Sequence, residues 1–350
     1  MAEKRLIYID LLRVLSSVMV IATHVVMHYI NCFPVHSIPW GMLETAKGIT
    51  QFAVPVFFMI SGAMILSGKR EESYSSFLKR RFSKIALPFL SWSVIYFLFF
   101  ALVKDKFELD LLVFFKAFFT QDISGHFWFM YTILVLYLFL PFFKRLVSVL
   151  DEKQLLLLIG ALFAFSSLLP FVNGLMSRAV GFEIAIPEFS KQAAYFGYML
   201  TGYWLHTTAL LKKKWFAQIL PIAGAAALVL MSVLTWFESQ KKIDQFYLNI
   251  TYPLVVIFSI AVMGCVKLWI GDKKIRGVVI VSLGKLSFTA YLVHMLWLRG
   301  MQIFIPQSFI KELSAVQALP YLLGEFAVGL AGSFLVAWAC SKIKYVNRIF

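Results

Sequence analysis

The chain alternates between long apolar runs and short polar segments over almost its whole length. A run of about 20 mainly apolar residues can cross a bilayer as a helix. Such runs predict ten transmembrane helices, at 7–30, 48–67, 84–103, 127–147, 154–172, 192–210, 215–237, 249–270, 284–304 and 320–341. The stretch 109–119 is too short to span and indicates an interfacial or re-entrant helix. The pattern predicts an all-α, polytopic membrane protein, with residues 1–350 as a single integral-membrane domain.

Composition and charge agree with a membrane setting. Hydrophobic residues make up 61% of the chain and charged residues 15%, whereas soluble domains have about 45–50% and about 25%. The net charge is +15. If the N-terminus is cytoplasmic, the inner segments carry roughly twice as many Lys and Arg residues as the outer ones. This bias predicts that both termini are cytoplasmic in a cell membrane, and it explains the charge without nucleic acid.

The N-terminus resembles a signal peptide only in outline. Lys4 and Arg5 precede an apolar run, but that run contains Asp10 and Arg13, and no small-x-small cleavage site follows. We therefore expect an uncleaved first helix.

Neither a disulfide framework nor a metal site is predicted. Cys32, Cys265 and Cys340 are isolated and form no Cys-x-x-Cys pair. His24 and His28 have a spacing that can bind a metal on a helix, but no third ligand lies nearby in the sequence.

The first helix carries a polar stripe. From Arg13 to His24 is a rotation of ~1100° and a rise of ~16 Å in an α-helix, so the two side chains share a face. Asp10 and Ser17 fall on the same side. Ionisable groups at membrane depth cost ~2.5–3.5 kcal/mol each on insertion scales and are functional-site hypotheses by default.

This stripe allows two interpretations. One is a buried Asp10–Arg13 ion pair with a histidine satisfied in the core. The other is catalysis, because histidine is suited to moving protons near neutral pH and can act as a general base toward a hydroxyl. Asp10 lies too far along the helix to orient His24 and is expected to pair with Arg13. The candidate catalytic residues are His24, Arg13 and Asp10.

Several motifs resemble one family. Arg13, ten residues and then His24 resemble the N-terminal pattern of the membrane-bound acyltransferase 3 family. Three later stretches, 54–65, 77–90 and 283–297, resemble the family in order, and a fourth, 125–141, has a similar look. These stretches are "VPVFFMISGAMI" (54–65), "FLKRRFSKIALPFL" (77–90), "GHFWFMYTILVLYLFLP" (125–141) and "LGKLSFTAYLVHMLW" (283–297). The likeness runs from about residue 5 to about residue 300.

The resemblance implies transfer of an acyl group, often acetyl from acetyl-CoA, to a cell-envelope carbohydrate. It implies about ten transmembrane helices, and this chain resembles members without a soluble C-terminal domain. The donor is a substrate, so no bound cofactor is expected.

The basic start of the third predicted helix is the expected seat for the phosphates of acyl-CoA. The candidates are Arg81, Lys84 and Arg80, beside Lys79. The family typically has Arg-x-x-Arg, whereas here Lys84 takes the second place and supplies charge without bidentate geometry. The alternative is simple anchoring by positively charged residues at the cytoplasmic face.

Four residues are expected to contact the acceptor or the acyl passage, although each has a structural alternative such as close helix packing or interfacial anchoring. They are Ser61, His126, Trp128 and Glu183, with Glu188, His294 and Arg299 as weaker candidates and Glu325 as an intramembrane acid of unknown partner.

Two other functions remain open at this stage. A transporter of a glycan or small polar solute would also have ten helices and a polar stripe, but would not depend on acetyl-CoA. A non-catalytic component of a polysaccharide synthase would tolerate the loss of His24.

Overall fold

The computed structural model describes residues 6–68, 73–187, 189–240, 243–271 and 278–344. Within these ranges the chain is helical and contains no strand. The α-helices are α1 (Ile7–Ile30), α2 (Ile38–Thr50), α3 (Ala53–Leu66), α4 (Tyr74–Lys104), α5 (Leu111–Phe119), α6 (Trp128–Val149), α7 (Glu152–Phe163), α8 (Leu169–Val180), α9 (Ser190–Thr207), α10 (Lys214–Glu238), α11 (Pro253–Ile270), α12 (Val278–Phe304), α13 (Gln307–Lys311) and α14 (Ala315–Lys342).

The predicted class, an all-helical polytopic membrane protein, is confirmed. In the described ranges, nine helical segments are long and apolar enough to cross a membrane. The predicted span at 192–210 is present as α9, but its polar residues lower its mean hydropathy and keep it outside this group. Most of its side chains are nevertheless buried, so protein rather than lipid surrounds α9. The short stretch at 109–119 forms α5, nine residues long.

Two predicted spans differ from the observed helices because each contains a break. The second span begins at Ile38, ten residues earlier than predicted, where the Ser37 hydroxyl accepts from the Trp40 backbone N–H, and it is interrupted between α2 and α3. The fifth span continues to Val180 through a π-helical turn at Ala164–Leu168, directly before Pro170. Proline lacks a backbone N–H, and π-turns and prolines are common causes of such irregularity.

The tightest helix crossing joins α3 and α9. A Cβ atom on Gly62 would lie 1.8 Å from the carbonyl oxygen of Met199, and one on Gly202 would lie 1.9 Å from that of Met59. Small residues allow backbones to approach closely, which drives helix association in membranes where apolar burial alone does not. The close packing of helices, which was the structural alternative for the Ser61–Gly62 motif, is therefore observed at Gly62.

Helix α12 lies between α1 and α14 and also contacts α4. The Tyr96 hydroxyl of α4 donates to the Leu292 carbonyl at 2.9 Å and accepts from the Leu296 backbone N–H at 3.1 Å. Tyr96 is fully buried. These two bonds fix the position of α4 along α12. The side chains of the candidate site, described below, lie near Tyr96.

Gly62→Ala is expected to destabilise the protein. The added methyl group has no space against the Met199 backbone, and overpacking of this kind costs ~1–3 kcal/mol. Thermal unfolding of the purified protein in detergent measures the effect. Gly160→Ala is the control, because a Cβ there meets nothing within 4 Å. An unfolding temperature unchanged by Gly62→Ala would contradict the close α3–α9 crossing.

Candidate functional site

The site is built around three histidines from different parts of the chain. His24 is in the last two turns of α1, His294 is on α12, and His126 lies in the 3-10 turn Gly125–Phe127 before α6. The ring centres of His24 and His294 are 5.2 Å apart, and those of His294 and His126 are 5.0 Å apart. The structure therefore joins two predicted site residues, His24 and His126, through a third.

The polar stripe of α1 faces α12. At one end, Asp10 packs against Gly284, where a Cβ would lie 2.8 Å from the Asp10 Cβ. In the middle, the Ser17 hydroxyl is 3.3 Å from the Ser287 carbonyl oxygen. Residues seven apart return to nearly the same side of a helix, so this register also brings His24 to α12. The stripe thus faces the interior of the bundle.

The hydrogen bond of His294 indicates which of its ring nitrogens carries a proton. His294 Nδ1 hydrogen-bonds the Tyr291 carbonyl of its own helix. A carbonyl only accepts, so Nδ1 carries the proton and Nε2 keeps its lone pair. Within the described chain, His294 Nε2 and His126 Nε2 are buried without a hydrogen-bond partner. His126 Nδ1 lies 2.9 Å from the Ser124 hydroxyl, and the Tyr291 hydroxyl donates to the His126 carbonyl.

His24 is half-buried and opens onto a cavity of about 930 Å³. The cavity lies where α1, α4 and α12 end, and we call this end of the bundle the His24 end. Polar and basic side chains dominate its wall. The lining residues are Thr23, His24, Met27, His28, Phe100, Lys104, Lys106, Ile123, Ser124, Gly125, Met295, Arg299, Gln302, Pro306 and Gln307.

A chain of hydrogen bonds leads from this cavity to a buried acid. Arg299 Nη1 donates to Gln302 Oε1 at 2.9 Å, and Gln302 Nε2 donates to Glu325 Oε1 at 2.9 Å. Glu325 is fully buried on α14. The sequence named Glu325 as an intramembrane acid without a known partner, and the structure shows that Gln302 is a partner.

Arg13 and Asp10 lie away from the histidines. Arg13 Nη1 is 3.2 Å from Asp10 Oδ1, and Asp10 is buried. The expected Asp10–Arg13 pair is present. Fourteen residues of helix, ~21 Å, separate Asp10 from His24, so this pair does not touch the His24 imidazole.

The basic candidates lie at the other end of the bundle. Arg80, Arg81 and Lys84 are in the first turns of α4, with the Arg81 guanidinium 5.7 Å from the centre of the Phe77 ring. From Lys84 to Tyr96, at the level of the histidines, is ~18 Å along the helix.

Three other predicted residues do not line the cavity. The Ser61 hydroxyl donates to the Phe57 carbonyl of its own helix at 3.0 Å. Trp128 lies against Tyr195, with ring centres 5.8 Å apart. Glu183 lines a separate pocket of about 570 Å³.

Glu188 falls outside the described residues. In contrast, Lys104, Lys106 and Gln302 line the cavity although the sequence did not single them out. In the sequence the two lysines were recognisable only as charged residues of a loop, because nothing in their spacing connects them to His24.

The fold and the site together define a polytopic helical membrane protein with ionisable groups gathered at the wall of a polar cavity. Residues 6–342 match the model of an acyltransferase domain, that of the acyltransferase 3 family. Because this match covers nearly the whole chain, the protein belongs to this family and is a membrane acyltransferase. Searches of curated proteins and of solved structures found no match.

Proposed function

We propose that the protein is an O-acyltransferase that moves an acetyl group from acetyl-CoA to a hydroxyl of a cell-envelope carbohydrate. The observation that carries this proposal is the placement of His24. It is the end of the Arg13-x10-His24 motif, it opens onto the polar cavity, and its ring centre is 5.2 Å from that of His294. Family membership supports the acyl transfer itself.

In the proposed reaction, His24 is the general base. Its imidazole takes the proton of the acceptor hydroxyl while the oxygen attacks the thioester carbonyl. The carbon–sulfur bond then breaks, and the proton passes from His24 to the departing thiolate of coenzyme A. A second route uses the same residue as a carrier. His24 nitrogen attacks the thioester carbonyl, the carbon–sulfur bond breaks, and the departing thiolate takes the proton that the imidazole gives up. The acceptor hydroxyl then attacks the acetyl carbon, the carbon–nitrogen bond breaks, and the hydroxyl proton returns to the imidazole. Both routes require a neutral imidazole.

The donor is proposed to extend between the two ends of the bundle. Its phosphates bind at Arg81 and Lys84, with Arg80 beside them, in a membrane whose cytoplasmic side is the basic end. A donor whose thioester stands at the tip of a long flexible arm suits the ~18 Å between the start of α4 and the histidines. Arg13, paired with Asp10, lies on the α1 face between these ends and is proposed to orient the arm.

His24→Ala is expected to lower acetyl transfer by at least about 10²-fold, because loss of a general base typically costs 10²–10⁴-fold. The measurement is transfer of radiolabelled acetyl from acetyl-CoA to envelope carbohydrate in membranes with matched expression. His36→Asn is the control. His36 is an exposed histidine away from the cavity, and asparagine tolerates its positive φ of 66°.

Equal labelling by wild type and His24→Ala would remove His24 from the chemistry. Label bound to the wild-type protein without acceptor, and absent from His24→Ala, would assign the carrier route rather than the direct one.

Arg81→Gln with Lys84→Gln is expected to raise the KM for acetyl-CoA about tenfold with a smaller change in kcat, because the lost contacts bind the donor in ground and transition states alike. Initial rates at varied acetyl-CoA concentration test this. Lys79→Gln is the control, since Lys79 is exposed and points ~140° away from Lys84 around α4. If the KM for acetyl-CoA stays at the wild-type value, these residues do not bind the donor, and the alternative that they anchor the helix at the membrane surface is favoured.

A further inference from the structure

We propose that the cavity at the His24 end takes an acceptor carrying an anionic group, a carboxylate or a phosphate, and that Lys104, Lys106 and Arg299 hold this group. The inference rests on the proposed acyl transfer and adds the class of acceptor to it. It follows from the charges on the cavity wall, from the partners of nearby acids and from the position expected for the donor.

The charge on the wall has one sign. Lys104 is in the last turn of α4, Lys106 follows that helix, and Arg299 is on α12. No acidic side chain is found among the described residues that line the cavity. A cleft lined by charges of one sign focuses the field and raises the local concentration of ligands of the opposite charge.

Two acids near the cavity, Glu325 and Asp122, are not part of its wall. Glu325 lies behind Gln302, which donates to one of its oxygens. Asp122 Oδ2 accepts from the Thr120 hydroxyl at 2.6 Å, and neither carboxylate lines the cavity. The positive groups on the wall therefore face the space in which a substrate binds.

Two of the three cations are already positioned. Lys106 Nζ donates to the Asp122 carbonyl at 2.6 Å and lies 4.7 Å from the centre of the Phe107 ring. Arg299 uses one of its five N–H donors on Gln302. Groups held in this way lose less conformational entropy when they bind an anion.

The donor does not account for these cations. Its phosphates are proposed to bind at Arg81 and Lys84, ~18 Å or more from the histidines along α4, and the arm that carries the thioester is uncharged. An anion that takes part in the reaction at the His24 end must then belong to the acceptor or to the acyl group itself. Acetyl is uncharged, so the acceptor is the source that we infer, while an anionic acyl group such as succinyl is the competing one.

The test is a binding experiment that does not depend on turnover. Saturation-transfer NMR on the full-length protein in phosphatidylcholine nanodiscs compares three probes: methyl α-D-glucoside, methyl α-D-glucuronide, and methyl α-D-glucoside 6-phosphate. We expect at least one anionic probe to bind about tenfold more tightly than the neutral one. Comparing the affinities of the glucuronide and the 6-phosphate then shows whether the site prefers a carboxylate or a phosphate.

Charge variants locate the binding. Lys104→Gln, Lys106→Gln and Arg299→Gln combined are expected to remove the preference, whereas Arg299→Lys, which keeps the charge, retains most of it. Lys116→Gln is the matched control, because Lys116 is an exposed cation of α5 outside the cavity wall. A combined variant that still binds the anionic probe as the wild type does would overturn the inference.

Three other results would overturn the inference: equal binding of neutral and anionic probes, no binding of either anionic probe, or loss of binding in phosphatidylglycerol nanodiscs, which would assign the cations to lipid headgroups. A charge-dependent preference for succinyl-CoA over acetyl-CoA would assign them to the acyl group and also overturn it. Probe binding without acetyl transfer would contradict the proposed function and leave only a binding site for an anion at the His24 end. Acetyl transfer, together with probe binding that does not depend on the charge of the probe, would support the proposed function and overturn this inference.

Discussion

The packing of the polar stripe of α1 against α12 is the constraint on which the site depends. Membrane helices cannot hide ionisable side chains in lipid at low cost, so these groups must meet protein or water. Here the absence of a side chain at Gly284 makes room for Asp10, and the Ser287 carbonyl meets Ser17. The same register brings His24 beside His294.

This contact explains why the two ends of the bundle differ in chemistry. At one end, α4 begins with Arg80, Arg81 and Lys84. At the other end, the terminal turns of α1, α4 and α12 surround a polar cavity with His24 on its wall. The hydrogen bonds of Tyr96 to α12 hold α4 in place between the two ends of the bundle. A single helix therefore links the proposed donor seat to the level of the proposed reaction.

Helix periodicity was enough to predict the stripe, because the angular positions of Asp10, Arg13 and His24 depend only on the geometry of an α-helix. The span ends were less predictable. Hydropathy does not register a serine cap such as Ser37 or a π-turn before Pro170, and both extend helices beyond their apolar windows. Helix α9 was predicted from an apolar run, yet it carries many polar residues and most of its side chains are buried by protein contacts.

The composition of the cavity was not readable from the sequence. His24 and Arg299, which line it, were candidates from the sequence, but Lys104 and Gln302 join them only through tertiary packing, and no spacing along the chain records it. In the same way, Ser61, Trp128 and Glu183 carried family-like or chemically suitable motifs, but none of the three lines the cavity onto which His24 opens. Local geometry thus predicts which face of a helix is polar, whereas its partners follow from how the helices cross.

The central claim is that the thioester of the donor reaches His24. An electron cryomicroscopy structure with a stable acetyl-CoA analogue, in which a methylene group replaces the thioester sulfur, tests it most directly. The account predicts the analogue's phosphates at Arg81 and Lys84 and its carbonyl carbon in contact with the His24 imidazole. A carbonyl group positioned away from His24, with the analogue well ordered, would contradict it.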